Sequence, residues 1–281
     1  MAAIKRKTHA AAKRVLALPD MHFPHHDPAA LACVAHVVRV WRPDLIVVLG
    51  DMIDGAAFSA HGRRSFAEKS PGFLSGEIGP CNDYFDKLQG ANDRPLVAHA
   101  GNHEQRLERY AVGLGGGGED LYSLASPERL ITHRVDARGR PHRARKNFTW
   151  VPYLGAGVHS HYQITPELKY SSALISLHGW SAAKNAAQVH LQAARDVSVI
   201  HGHTHRAQEV KSRHRLTDRI LQAWSPGCLC DLYPTYMANQ PSDWTHGFSM
   251  VYVGSESWMS YTVPIFSDGS CILPDGKRVV G

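Results

Sequence analysis

Residues 44–54, DLIVVLGDMID, decide how the rest of the chain is read. After Asp44 the run to Leu49 is unbroken apolar sequence of strand length, the pattern of a parallel strand buried on both faces. It enters Gly50 and Asp51 directly, with Asp54 three residues on, so carboxylates arrive at the carboxyl end of a buried strand. The same grammar occurs upstream. Arg14 to Leu18 forms a short apolar strand ending at Pro19, followed by Asp20-Met21-His22, and the two-residue period of extended chain lets Asp20 and His22 point one way.

Downstream it recurs three times. Pro95 to Ala100 leads into Gly101-Asn102-His103-Glu104, and QRLERYAV after it has helical character. Ala173 to Leu177 leads into His178-Gly179-Trp180, with a helix predicted over Ser181 to Ala194. Val197 to Ile200 leads through His201 into Gly202-His203-Thr204-His205. Strands alternating with helices predict an α/β fold, in which neighbouring strand ends converge on one crevice. His99 and His201 alternate with the candidate ligands and read as packed strand histidines. For His178 the rivals in sequence are His159, His161 and His190; the apolar run before His178 favours it. His25 and His26 read as solvated loop residues.

Carboxylate and carbonyl oxygens mixed with neutral imidazole suit manganese, iron, zinc or related ions, whereas an all-oxygen set suits magnesium or calcium. A shared acid such as Asp51 can bridge two ions about 3.5–4 Å apart, the spacing that clamps both oxygens of a phosphoryl displacement. Gly50, Gly101 and Gly202, each just before a ligand, let the backbone turn and approach closely.

In this order, D-x-H, G-D-x-x-D, G-N-H-E, H-G and G-H-x-H between Asp20 and His205 resemble the calcineurin-like metallophosphoesterase superfamily. The resemblance implies a four-layer α/β/β/α sandwich with two mixed sheets and a metal site at the carboxyl ends of the strands. It implies two divalent metal ions, manganese first, with iron, zinc, nickel, cobalt or magnesium as alternatives. Asp20, His22 and His205 would hold one ion and Asn102, His178 and His203 the other, with Asp51 bridging. A metal-bound hydroxide would attack, His103 would protonate the leaving oxygen, and Asp54 would orient His103. The protein phosphatase branch has an arginine after the second motif's acid, where this chain has Gly55; Arg63, Arg64, Arg106 and Arg109 are the loop arginines that could replace it. The expected substrate is therefore a phosphodiester of nucleotide or nucleic-acid type. The alternative is a phosphomonoesterase acting on a nucleotide or phosphoprotein. An alternative of another class is a catalytically silent, metal-bearing nucleic-acid-binding protein, against which the intact His103 and Asp54 argue.

Composition agrees with this reading. The 281 residues carry a net charge of +6, which favours an anionic partner. Arg138 to Lys146 and Lys211 to Arg215 are basic clusters that read as nucleic-acid contacts or solvated loops. Five cysteines are an odd number without paired spacings, which points to a reducing cytoplasm. Cys228 and Cys230 read as strand neighbours. No apolar run reaches the roughly 18 residues of a membrane span, and the basic start lacks a secretory apolar core. The expected organisation is a basic arm over 1–13 and one domain over 14–281, with inserted segments at about 56–90 and 105–150 and a flexible break at the glycines of 115–118. The strands near 246–265 and the tail hairpins are expected to complete the second sheet.

Overall fold

A computed structural model describes residues 11–59, 72–153, 160–234 and 242–281. Residues 1–10 of the basic arm, Arg63, Arg64 and His159 lie outside that set.

Four parallel strands, β1 (Lys13–Leu18), β2 (Leu45–Val48), β3 (Leu96–His99) and β4 (Phe148–Val151), form one side of the first sheet. Beyond β1 the sheet continues through β10 (Gly247–Val253) and β11 (Trp258–Pro264), both paired antiparallel. The second sheet contains β5 (Tyr162–Thr165), β6 (Leu174–Leu177), β7 (Ser198–His201), β8 (Ala207–Arg213) and β9 (Ile220–Pro226), in the order β5-β6-β7-β9-β8. Within it β6, β7 and β9 are parallel and the edges antiparallel. Both sheets are therefore mixed.

Period-two alternation assigns the faces. Val15, Ala17, Leu45, Val47, Val97 and Val251 of the first sheet meet Leu174, Ile200 and Trp224 of the second. Trp224 is fully buried there, and its indole N–H donates to Ser249 Oγ of the facing sheet at 2.9 Å. The alternate residues, Leu16, Leu18, Ile46 and Val48, pack outward under α1 (Pro28–Trp41) and α2 (Gly79–Gln89). Helix α1 starts where Asp27 accepts the Ala30 N–H at 2.7 Å and Pro28 presets the first turn; its buried Leu31, Val34, Val37, Val38 and Trp41 recur at helical spacing. On the far side, α6 (Ala186–Ala194) lays Leu191 against Leu177, Val199, Leu221 and Ala223. The layers are α/β/β/α, as expected.

Two expectations are corrected. Gly247 to Pro264 extends the first sheet beside β1, with Val15 opposite Val251, rather than completing the second. Gly247 to Val251 is buried throughout, which fits a strand flanked on both sides better than an outer one. The second sheet is closed instead by β5 and the β8–β9 hairpin, while β12 (Ser270–Ile272) and β13 (Arg278–Val280) form a separate ribbon. Within the segment 56–90, helix α2 packs into the core layer, with Tyr84, Phe85 and Leu88 buried in the cluster that α1 covers. At the glycine run, Gly115–Gly117 forms a tight turn and Gly118 opens α4 (Gly118–Ala125). This helix sits so close to α3 (Gln105–Gly113) that a side chain at Gly118 would strike the Ala111 carbonyl. A short α5 (Pro127–Thr132) follows, and the helix predicted from Ser181 begins only at Ala186. Among the described residues no helix is long and apolar enough to cross a membrane.

The basic clusters are largely paired. Arg145 is buried and bonded to Asp86 and to Asn82 Oδ1, the latter at 2.9 Å. Arg140 is bonded to Asp136, Lys211 to Glu209 and Arg213 to Asp218.

Candidate metal centre

Each sequence-predicted site residue follows the carboxyl end of a strand: Asp20 and His22 follow β1, Asp51 and Asp54 follow β2, Asn102 and His103 follow β3, His178 follows β6, and His203 and His205 follow β7. The loops are stitched together through the backbone, with the N–H groups of Met21 and His22 donating to the Asp51 carbonyl at 3.0 and 2.9 Å. Four of these residues, His22, Asp51, His203 and His205, have φ between 45° and 71°. Left-handed backbone costs roughly 1 kcal/mol or more per residue outside glycine, and its concentration here marks geometry imposed by the surrounding fold. Gly101 permits the closest approach: a Cβ there would fall 2.1 Å from Asp51 Oδ1 and 2.8 Å from His178 Cε1.

Two donor sets result. His22 Nε2 and His205 Nε2 face each other at 3.1 Å, with Asp20 Oδ1 3.5 Å from the latter. In the other set, Asn102 Oδ1 lies 3.1 Å from His178 Nε2 and 2.8 Å from His203 Nδ1, and those two nitrogens are 3.3 Å apart. Asp51 Oδ2 stands between the sets, 3.7 Å from His22 Nε2 and 3.4 Å from His178 Nε2. Ligand atoms around an ion with bonds of about 2.0–2.2 Å are separated by roughly 3.0–3.5 Å, so imidazole nitrogens converging at these distances fit a cation better than they fit one another. The ligand atoms of Asp20, His22, Asp51 and His205 all lie within 4.8 Å of one another, as do those of Asp51, His178 and His203. These clusters can hold metal.

The electrostatics suit that use. Burial opposes ionisation of Asp51, yet the rings of His178, His103 and His22 hold its carboxyl well below the usual range. Asp20 is likewise lowered by His205 against the effect of burial. Burial depresses His22 to about 4 and also lowers His203, which keeps both rings neutral and able to donate a lone pair. His178 differs: burial pulls it down, but the Asp51 and Asp20 carboxylates raise it to about 9. A metal ion must displace a proton there.

His103 stands beside the donor sets. Its Nδ1 lies 2.9 Å from the Asp54 carbonyl and 3.1 Å from Asp54 Oδ1, and its backbone N–H donates to Asp51 Oδ1 at 3.0 Å. Against burial, Asp51 and Asp54 raise its pKa.

The rival His190 is occupied in α6, with Nδ1 2.7 Å from the Ala186 carbonyl and Nε2 accepting the Trp180 N–H. His99 is packed and paired with Ser176 Oγ at 2.9 Å, and His201 is buried against the His190 ring at 4.0 Å. Sequence reasoning gave no role to several neighbours. Glu104 is buried and accepts the N–H groups of Gly101, Ile53 and Asp51 at 2.6, 3.0 and 3.1 Å, tying the loops after β2 and β3. Its place in G-N-H-E was the visible signal. Cys230 Sγ lies 3.9 Å from His205 Nδ1, so the C-x-C pair reaches the site's edge. Half-exposed Trp244 and Tyr153 pack edge-on against His205 and His178, with centroids 4.1 and 5.7 Å apart.

Residues 13–207 match the profile of the Calcineurin-like phosphoesterase family. The gene 54 protein of Mycobacterium phage L5 is 24% identical, the match covering 94% of this chain and 98% of that protein. The gene 54 protein of Mycobacterium phage D29 is 23% identical over 90% and 94% of the two chains. Among solved structures, Vps29 of Chaetomium thermophilum is similar with 12% identity and a TM-score of 0.44, covering 96% of this chain and 95% of its own. The E. coli phosphoesterase YfcE gives 13% identity and a TM-score of 0.37, covering 94% and 96%.

Proposed function

Because this chain belongs to the calcineurin-like phosphoesterase family, a family of hydrolases acting on phosphate esters, we propose that it cleaves a phosphodiester of nucleotide or nucleic-acid type at a dinuclear centre. The observation that carries this reading is the pair of donor sets sharing Asp51 Oδ2. Asp20, His22 and His205 would hold one divalent ion and Asn102, His178 and His203 the other, with Asp51 shared between them. The mixture of imidazole and oxygen donors suits manganese, iron or zinc. When bound, such ions polarise the phosphoryl oxygens and bring the pKa of water towards neutrality.

The chain's own groups do the rest. Asp51 stays ionised and offers its Oδ2 to both sets, while the three N–H donors to Glu104 fix the loops that carry Asp51 and Asn102. Asp54 accepts from His103 Nδ1, which turns the ring so that Nε2 holds a proton for the departing oxygen. Against burial, the Asp51 and Asp54 carboxylates favour the protonated form of the ring. A diester carries two organic groups, and Trp244 beside His205 with Tyr153 beside His178 offers one aromatic surface at each donor set. The buried free thiols suit a reducing cytoplasm.

The test is kcat/KM for bis(p-nitrophenyl) phosphate against p-nitrophenyl phosphate, with manganese restored after chelation. Metal-dependent preference for the diester is expected. Monoester preference would replace the diester reading with a phosphatase, and metal-loaded protein silent on both would leave a binding function.

A further inference from the structure

We propose that Arg106 is the residue that grips a non-bridging oxygen of the substrate phosphate, with its guanidinium set beside the His103 Nε2 that serves the leaving oxygen; this rests on the phosphoesterase reading above. Arg106 stands in the first turn of α3, its backbone N–H donating to the His103 carbonyl at 3.0 Å, so helical geometry sets both side chains on one face. Its Nη1 donates to the Asp54 carbonyl at 2.6 Å and lies 3.3 Å from Asp54 Oδ2, while Nη2 is 3.1 Å from His103 Nε2. The guanidinium thus spans the pair that handles the leaving-group proton, and with 23% of the side chain exposed it is open to solvent on one side.

Its charge is incompletely matched. The Asp54 carboxylate is shared among Arg106, His103 at 3.1 Å and His22 at 3.5 Å. A non-bridging phosphoryl oxygen at the open side of the guanidinium would accept from Nη2 while the adjacent leaving oxygen accepts from His103 Nε2, which is the charge-assisted recognition a planar guanidinium favours. The backbone leaves room for this placement. Gly55 has φ +61°, and a Cβ on it would lie 3.0 Å from the His103 carbonyl and 3.4 Å from Arg106 Cδ, so any larger residue would press on the arginine stem. From below, Glu77 accepts the Gly55 N–H at 2.6 Å and holds that turn. Among the described residues, Arg109 bonds Gln105 Oε1 at 2.9 Å, and Arg206 bonds the carbonyls of Ala182 and Ala183 at 3.1 and 2.8 Å.

The experiment measures orthophosphate binding by calorimetry, and diester kinetics, on manganese-loaded wild type, Arg106→Ala, Arg106→Gln and Arg106→Lys, with metal content determined for each. Phosphate affinity weaker by about tenfold to a hundredfold in Arg106→Ala and Arg106→Gln is expected. KM should rise by a similar factor with a smaller change in kcat, Arg106→Lys should recover part of the loss, and added guanidinium should rescue Arg106→Ala. If Arg106→Ala lost metal, the two variants that keep the stem would carry the comparison. Unchanged phosphate affinity and KM with a fall in kcat alone would overturn the proposal and make Arg106 a support for Asp54. Wild type that holds metal but binds no phosphate would overturn it as well. Wild type that binds phosphate through Arg106 yet hydrolyses neither ester would overturn the phosphoesterase reading and leave the grip standing.

Discussion

Replacing Glu77 with glutamine should stabilise the metal-free protein at alkaline pH and leave it nearly unchanged in acid. Glu77 is fully buried, its Oε2 accepts the Gly55 N–H at 2.6 Å, and its Oε1 has no hydrogen-bond partner among the described residues. Burial, with Asp54 nearby, pushes its carboxyl up to about 8 against the pull of the Gly55 and Ala56 N–H groups. An unfolded glutamate releases its proton near 4.5, so between 4.5 and about 8 the native state holds a proton that the unfolded state has lost, and stability falls as pH rises. At about 1.4 kcal/mol per pH unit, this group alone should cost the wild type about 3 kcal/mol more at about pH 8.5 than at about pH 5.5. Glutamine reproduces the protonated form, keeping an oxygen for Gly55 and placing an uncharged group where Oε1 stands. Urea unfolding of both proteins after chelation, across that range, should therefore show an advantage for Glu77→Gln that grows by about 3 kcal/mol. A constant difference, or a variant less stable in alkali, would refute the reasoning.

Glu104→Gln should be destabilising by about 2–3 kcal/mol in urea melts, because one amide end would turn a donor towards the N–H of Ile53 or of Gly101 and Asp51; a neutral effect would show that the carboxylate does not tie the loops. Apparent affinity for manganese at the His178 set should rise about tenfold per pH unit from neutrality to about 9, since a raised His178 pKa makes the ion compete with a proton that disappears above it. Calorimetric titration at stepped pH checks this, and pH-independent affinity would contradict it. His103→Ala should lower kcat by about 10²–10⁴-fold with metal content unchanged, and loss of metal instead would move His103 into the ligand set.

Much of this was legible because burial and turn chemistry are local signals. LIVV reads as a two-face-buried strand from its own composition, and Gly50-Asp51 reads as a turn bearing an acid, whichever partners it has. The four layers came from the resemblance that the motifs at these strand ends carry. The place of Gly247–Val253 did not, since pairing with β1 lies more than two hundred residues away and an antiparallel addition to either sheet has the same alternation. The packing of helix α2 into the core was not legible, because its buried Asn82 and Gln89 lower the apolar contrast of a packed face. Glu77 is an acid whose partner is the backbone N–H of Gly55 in another loop, and no spacing announces such a bond. The left-handed backbone at His22, Asp51, His203 and His205 is set by packing around the site. Arg106 stood in the sequence as one loop arginine among four, and only the fold shows which way it reaches.

The central claim is that Asp51 joins two metal ions in one centre. The most direct measurement is manganese stoichiometry per chain, by elemental analysis after dialysis at matched protein concentration, in wild type and Asp51→Asn, with diester hydrolysis followed on the same samples. Two ions per wild-type chain, one or fewer in Asp51→Asn and loss of hydrolysis with the second ion are predicted. Two ions retained in Asp51→Asn, or one ion in a fully active wild type, would contradict the account.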